Sequence, residues 1–156
     1  MSPNFTNLFS VKGKVVLITG GSRGIGEMLA AGFLANGAKV YISSRKAGAC
    51  DETANRLMEA YGGEVIALPA DLSTVEGCES LAKRLSDLEP KLDVLINNAG
   101  AAWGAPLETF PEAGWDKVMD TNVKGVFFLT QKVLPLLRAA ASKTSPSRVI
   151  NIGSID

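Results

Sequence analysis

Five short runs of β-branched and aliphatic residues, separated by longer stretches of helical period, restrict this chain more than any other feature. The runs are Val15 to Thr19, Lys39 to Ser43, Glu64 to Leu68, Val94 to Asn97 and Arg148 to Ile152. Their centres, VVLI, VYI, VIAL, VLI and VINI, are almost continuously apolar. A strand with one wet face alternates polar and apolar residues, whereas a parallel strand covered on both faces does not. Apolar strands alternating with helices are the signature of βαβ units and argue against a sandwich or a helical bundle.

Four helical segments fill the gaps. The first, Gly24 to Asn36, repeats Ile25, Met28, Leu29 and Phe33 at helical spacing, and Gly37 follows it as a C-cap glycine. The second runs from about Ala49 to Tyr61 and the third from Thr74 to Leu88, before Pro90. The fourth is expected to be one long helix from Gly114 to about Ala140, kinked by Pro135. Right-handed crossovers leave few ways to connect these pieces. The simplest is an α/β fold, a Rossmann-like doubly wound parallel sheet of five strands in the order 3-2-1-4-5. At 156 residues, one domain covering 1–156 is expected. Ligands of such sheets bind at the carboxyl ends of the strands, beside the first one.

The stretch VVLITGGSRGIGEMLA places a strand, a glycine turn and a helix in immediate succession. Such a turn aims free backbone N–H groups and the positive end of a helix dipole at one spot, which suits a pyrophosphate. Gly20 can relieve the turn, Gly24 can let phosphates approach, and Gly26 can let helix and strand pack closely. The spacing is G-x-x-x-G-x-G rather than the general G-x-G-x-x-G, and a turn built only for packing is the plainer alternative. After the second strand, where an acid would hold the ribose of NAD, the chain reads ISSRK. Arg45 stands in that place, 19 residues beyond Gly26, and Arg23 sits in the turn. Two guanidiniums there favour a 2′-phosphate, hence NADP (NADPH), unless both are ordinary surface arginines.

Composition narrows the chemistry. There is no histidine, which removes Ser-His-Asp triads, Cys-His pairs and histidine-bound metals, so no metal site is expected. Sixteen basic residues balance sixteen acidic ones, so neither nucleic acid nor an anionic membrane is an expected partner. No leader pattern or membrane-length apolar run is present, and a cytoplasmic location is expected. Cys50 and Cys78 form no C-x-x-C and read as two reduced, partly buried thiols.

Four motifs in order, TGGSRGIG, NNAG at Asn97 to Gly100, TNVKG around Asn122 and VINIGS ending at Ser154, resemble the classical short-chain dehydrogenase/reductase family along essentially the whole chain. The resemblance implies that Gly20, Ser22, Arg23, Gly24, Ile25 and Gly26 form the cofactor turn and that Arg45 holds the 2′-phosphate. It implies that Asp71 and Leu72 contact the adenine, and that Asn98, Ala99 and Gly100 lie along the cofactor's ribose and support the central strand. Asn122 would hold a water in a proton relay, and the catalytic Ser154 would steady the substrate carbonyl and the alkoxide made from it. The stretches NNAGAAWGAPLE, GWDKVM and LPLLRAAAS are similar to 3-oxoacyl-[acyl-carrier-protein] reductases, within them to the branch named for rhamnolipid biosynthesis. The implied reaction is NADP-dependent reduction of a carbonyl, a 3-oxoacyl thioester, to the alcohol, in a complete protein that is a homo-oligomer. Each residue also has a plainer role: Asn98 bridging backbone, Asp71 capping a turn, Asn122 satisfied within its helix, Ser154 a turn serine.

In that family a tyrosine protonates the substrate oxygen, and a lysine four residues on lowers the tyrosine's pKa. An unassisted tyrosine, at about 10, is poorly matched to that task. Tyr41 here has Arg45 four positions on and Tyr61 has Val65, and neither follows the serine. The chain is therefore expected to be truncated after Ser154 and inactive alone. The alternative is a non-catalytic NADP-binding module, or half of a split enzyme that pairs with a complementary chain. Its fifth strand is expected to be an exposed edge, leaving the isolated chain poorly soluble or partner-dependent.

Overall fold

The computed structural model describes residues 9–154. The chain runs β1 (Val15–Thr19), α1 (Gly24–Ala35), β2 (Lys39–Ser43), α2 (Ala47–Tyr61), β3 (Val65–Ala67), α3 (Val75–Leu88) and β4 (Val94–Asn97). A 3-10 turn (Leu107–Thr109), α4 (Glu112–Met119), a π-helical segment (Asp120–Lys124), α5 (Gly125–Ala140) and β5 (Arg148–Asn151) follow. The strands form one parallel sheet in the order β3-β2-β1-β4-β5, the order expected from the sequence.

The central strands β1, β2 and β4 are buried on both faces because helices cover both, whereas β5 is exposed along its length. Successive residues of β1 point to opposite sides. Leu17 joins Leu81, Leu85, Leu95, Leu129 and Val133 beneath α3 and α5. Val16 and Ile18 join Ala30, Leu34, Val40, Ile42 and Leu57 beneath α1 and α2. Cys50 and Cys78 are free, buried in these layers on α2 and α3, and burial pushes both thiols up. Among the described residues no helix is long and apolar enough to cross a membrane.

Two expectations are corrected. The stripe that α1 turns to the sheet is Gly26, Ala30 and Leu34, while Ile25 and Met28 are exposed. Glu27 is the one polar side chain between Gly24 and Ala35, so apolar spacing could not single out a face. The fourth helical stretch runs without a gap from Glu112 to Ala140, but its bonding is not α-helical throughout, and the irregularity is not at Pro135, which lies within α5. The irregularity is the π-helical segment at Asp120–Lys124, one turn that carries Asn122. Smaller shifts occur at α2, which begins at Ala47, and at β3 and β5, which are shorter than the apolar runs that mark them.

The amino ends of the strands are closed by paired charges. Asp93 accepts hydrogen bonds from Val15 N–H (3.0 Å) and Lys14 Nζ (2.9 Å), tying β4 to β1. Lys39 bridges Glu64 (2.8 Å) and Glu89 (2.9 Å), and both raise its pKa. Tyr41, fully buried in β2, donates to Glu89 Oε1 at 2.7 Å. Burial first, and then this bond to a carboxylate, push its phenol up to about 12.

Candidate functional site

At the opposite, carboxyl ends of the strands lies a cavity of about 980 Å³. The turn between β1 and α1 supplies Gly20, Ser22 and Arg23, the first residue of α1 supplies Gly24, and the segment after β2 supplies Arg45. Asp71 and Leu72 come from the segment after β3, and Asn98, Ala99 and Gly100 from the segment after β4. Ten of the sequence-expected residues therefore share one space. Ile25, Gly26, Asn122 and Ser154 do not line it.

The glycines divide the labour of the turn. Gly20 and Gly24 have φ of +66° and +55°, a region costly to other residues. A Cβ on Gly24 would meet nothing within 4 Å, so the ground in front of it is open. A Cβ on Gly26 would run into the Gly20 carbonyl and approach Asn98 Nδ2 to 2.6 Å. Gly26 therefore serves the packing of α1 on the turn, and Gly24 leaves room for a ligand.

Arg23, Arg45 and Lys46 bring three cations to the cavity wall against one carboxylate, Asp71. Asp71 Oδ1 accepts from Ser73 N–H (3.0 Å) and Ser73 Oγ (2.8 Å). The Ser73 N–H chiefly, with Arg45 nearby, holds this carboxyl below the usual carboxylate range. Asp71 thus caps the turn that leads to α3 and still faces the cavity. Ser43, Ser44 and Lys46 also line the wall, and sequence reasoning singled out none of them, although all flank Arg45 in the ISSRK run. The Ser43 hydroxyl is buried and has no hydrogen-bond partner among the described residues.

The other wall is a polar seam between β1 and β4. Thr19 Oγ1 accepts from the backbone N–H of Asn98 (2.9 Å) and Ala99 (2.9 Å) and donates to Ile96 O (3.3 Å). Asn98 Nδ2 donates to Thr19 O (2.9 Å) and Gly20 O (3.3 Å), so its side chain bridges backbone groups and anchors the turn. Asn97 Nδ2 reaches across to Asn151 Oδ1 on β5 at 2.9 Å. Thr19 opens the TGGSRGIG motif, but nothing in the sequence marks that its hydroxyl would reach the backbone after β4. Asn122 accepts from Ala101 N–H (2.8 Å) and donates to Ala101 O (2.9 Å), clamping the π-helical segment to the loop that leaves β4 rather than bonding within its own helix. Ser154 is exposed beyond β5, whose last backbone bond runs from Ile152 N–H to Asn97 O (2.9 Å).

A long, polyanionic nucleotide fits this arrangement: open ground before Gly24, a helix N-terminus beside it, an excess of cations, and an unpaired buried hydroxyl in the wall. Among the described residues no group of three or more acidic or cysteine side chains is gathered as a metal site would require.

Comparison with known proteins agrees with that geometry. The profile of the short chain dehydrogenases matches residues 14–156. The rhamnolipids biosynthesis 3-oxoacyl-[acyl-carrier-protein] reductase of Pseudomonas aeruginosa is 54% identical over 147 residues, which cover 94% of this chain and 57% of that protein. The solved Pseudomonas aeruginosa RhlG/NADP active-site complex superposes with a TM-score of 0.89 at 55% identity, over 94% of this chain and 56% of that one. A metagenomic short-chain oxidoreductase in complex with NADP gives a TM-score of 0.85 at 32% identity, over 94% and 65%. The chain thus spans little more than half the length of the first two.

Proposed function

Because the chain belongs to the short-chain dehydrogenase family, we propose that it forms the NADP-binding domain of a reductase that converts a carbonyl, most specifically a 3-oxoacyl thioester, to the alcohol. The observation that carries this reading is the meeting of Arg23, Arg45 and the glycine turn around one cavity. In this reading the turn from Gly20 to Gly26 holds the pyrophosphate, Arg23 and Arg45 hold the 2′-phosphate, and Asp71 and Leu72 flank the adenine. Asn98, Ala99 and Gly100 run beside the ribose. NADPH, when bound, supplies the hydride.

The chain's own part in the chemistry is to orient. Ser154 steadies the carbonyl oxygen through its hydroxyl. Asn122 gives both ends of its amide to Ala101, so it holds the loop beside Gly100, and a proton-relay water would be held by its main-chain groups. A general acid of suitable pKa is a separate requirement. Tyr41 is buried against Glu89 and pushed up to about 12, and Tyr61 ends α2 on the surface away from the cavity.

That placement favours a second reading in which these residues bind NADPH without turnover, as a module or as half of a split enzyme. Fluorescence titration with NADPH, followed by NADPH oxidation with a 3-oxoacyl thioester, separates the two. Saturable binding with turnover restored by a complementary chain carrying Tyr-x-x-x-Lys supports the reductase; binding with none under any complementation supports the module. Absence of saturable binding sinks both. Arg45→Ala should reduce the preference for NADPH over NADH by about tenfold to a hundredfold, the value of a charge-assisted bond, and equal loss for both nucleotides would refute its assignment.

A further inference from the structure

We propose that Thr53, on α2, is a positioning residue for the glycine turn: through the Ser22 carbonyl it sets the orientation of the Ser22–Arg23 peptide and so the affinity for a pyrophosphate. This rests on the dinucleotide reading above. Thr53 is 2% exposed, and its hydroxyl donates to Ser22 O at 2.9 Å. A threonine inside a helix ordinarily returns its hydroxyl to a carbonyl one turn back. Here the bond leaves the helix and spans 31 positions of sequence. The same oxygen accepts from Arg56 Nη2 at 3.3 Å. That guanidinium in turn holds Glu27 Oε1, in the first turn of α1, from Nη2 (2.6 Å) and Nε (3.2 Å). The turn and the start of α1 are therefore tied to α2 through one continuous set of bonds.

The consequence for binding follows from peptide planarity. The Ser22 carbonyl and the Arg23 N–H belong to one rigid plane, and no peptide among the described residues is cis. Fixing the oxygen fixes the direction of that N–H. Arg23 is the N-cap of α1, extended at φ −169° and ψ 165°, and no side chain caps the helix there. Ser22 and Arg23 both line the cavity. A donor held in place before the ligand arrives costs no ordering on binding.

Three proteins test this: the unchanged chain, Thr53→Val, which keeps the shape and removes the donor, and Thr53→Ser, which restores it. Each is titrated with NADPH and with adenosine 2′-monophosphate, which carries the adenine and 2′-phosphate but no pyrophosphate. Thr53→Val should weaken NADPH about tenfold, the value of one hydrogen bond, and weaken the monophosphate distinctly less, because Arg23 reaches the 2′-phosphate through a flexible side chain, while Thr53→Ser recovers NADPH affinity. Equal weakening of both ligands, unchanged NADPH affinity in the valine variant, or failure of serine to rescue would each overturn the proposal. If the unchanged chain melts cooperatively yet saturates with neither ligand, the dinucleotide reading itself falls and takes this inference with it. An indifferent valine variant of a binding chain removes only the role of Thr53.

Discussion

Asp93 holds the amino end of the sheet through a carboxylate that serves only when ionised. Burial pushes its carboxyl up, but the Val15 N–H and Lys14 outweigh that and leave its pKa below the usual range. A depressed folded-state pKa contributes stability that is complete above the unfolded value, about 4, and is lost as pH falls through the folded value. Asp93→Asn should therefore cost about 1–3 kcal/mol at neutral pH by urea denaturation. It should also flatten the fall in stability below about pH 4; an acid limb as steep as that of the unchanged chain would contradict this. At this scale the placement of a residue at the cavity was legible where a motif surrounds it, as with Arg45 and Asp71. Thr53 and Ser43 were not legible, because nothing in linear spacing marks which distant carbonyl a hydroxyl will meet, or that it will meet none.

Among the elements, α5 is placed by a glycine. A Cβ on Gly125 would strike the Leu72 carbonyl oxygen and come within 3.2 Å of Asp120 O, both backbone atoms that no rotamer change can move. Gly125→Ala should therefore cost about 1–3 kcal/mol and loosen the Asp71–Leu72 wall of the cavity. Gly32→Ala, on α1 with nothing within 4 Å of its would-be Cβ, should be neutral or stabilising by about 0.5–1 kcal/mol. Thermal melts of the pair decide it, and similar losses in both would sink the contact argument. The central strands were readable because burial on both faces leaves an unbroken apolar run, and β5 was readable from its apolar run although it is exposed. The π-helical turn was not, since its residues, DTNVK, are mostly weak helix formers whose spacing does not separate a π turn from an α turn, and the clamp between Asn122 and Ala101 joins residues 21 positions apart.

For the whole molecule, strand order followed from crossover handedness and short connections, which act on any chain of this pattern. Among the described residues β5 is an edge strand of the sheet, where Val149 and Ile150 are 44% and 41% exposed. On α5 Phe127 is 62% exposed, and Trp115 on α4 is exposed as well. Surfaces of this kind favour self-association. Sedimentation velocity should show concentration-dependent growth of the species; a sharp monomer boundary across a wide concentration range would exclude it. Charge follows a different rule from surface. The sixteen positive and sixteen negative side chains cancel in number but not in place. Paired ions close the amino end of the sheet, while Arg23, Arg45 and Lys46 at the mouth of the cavity answer to Asp71 alone among its lining residues. A molecule without net charge therefore keeps a local positive field, which draws an anion in before any contact is made. Its association rate with NADPH should fall as ionic strength rises and the screening length shortens, while the dissociation rate changes little.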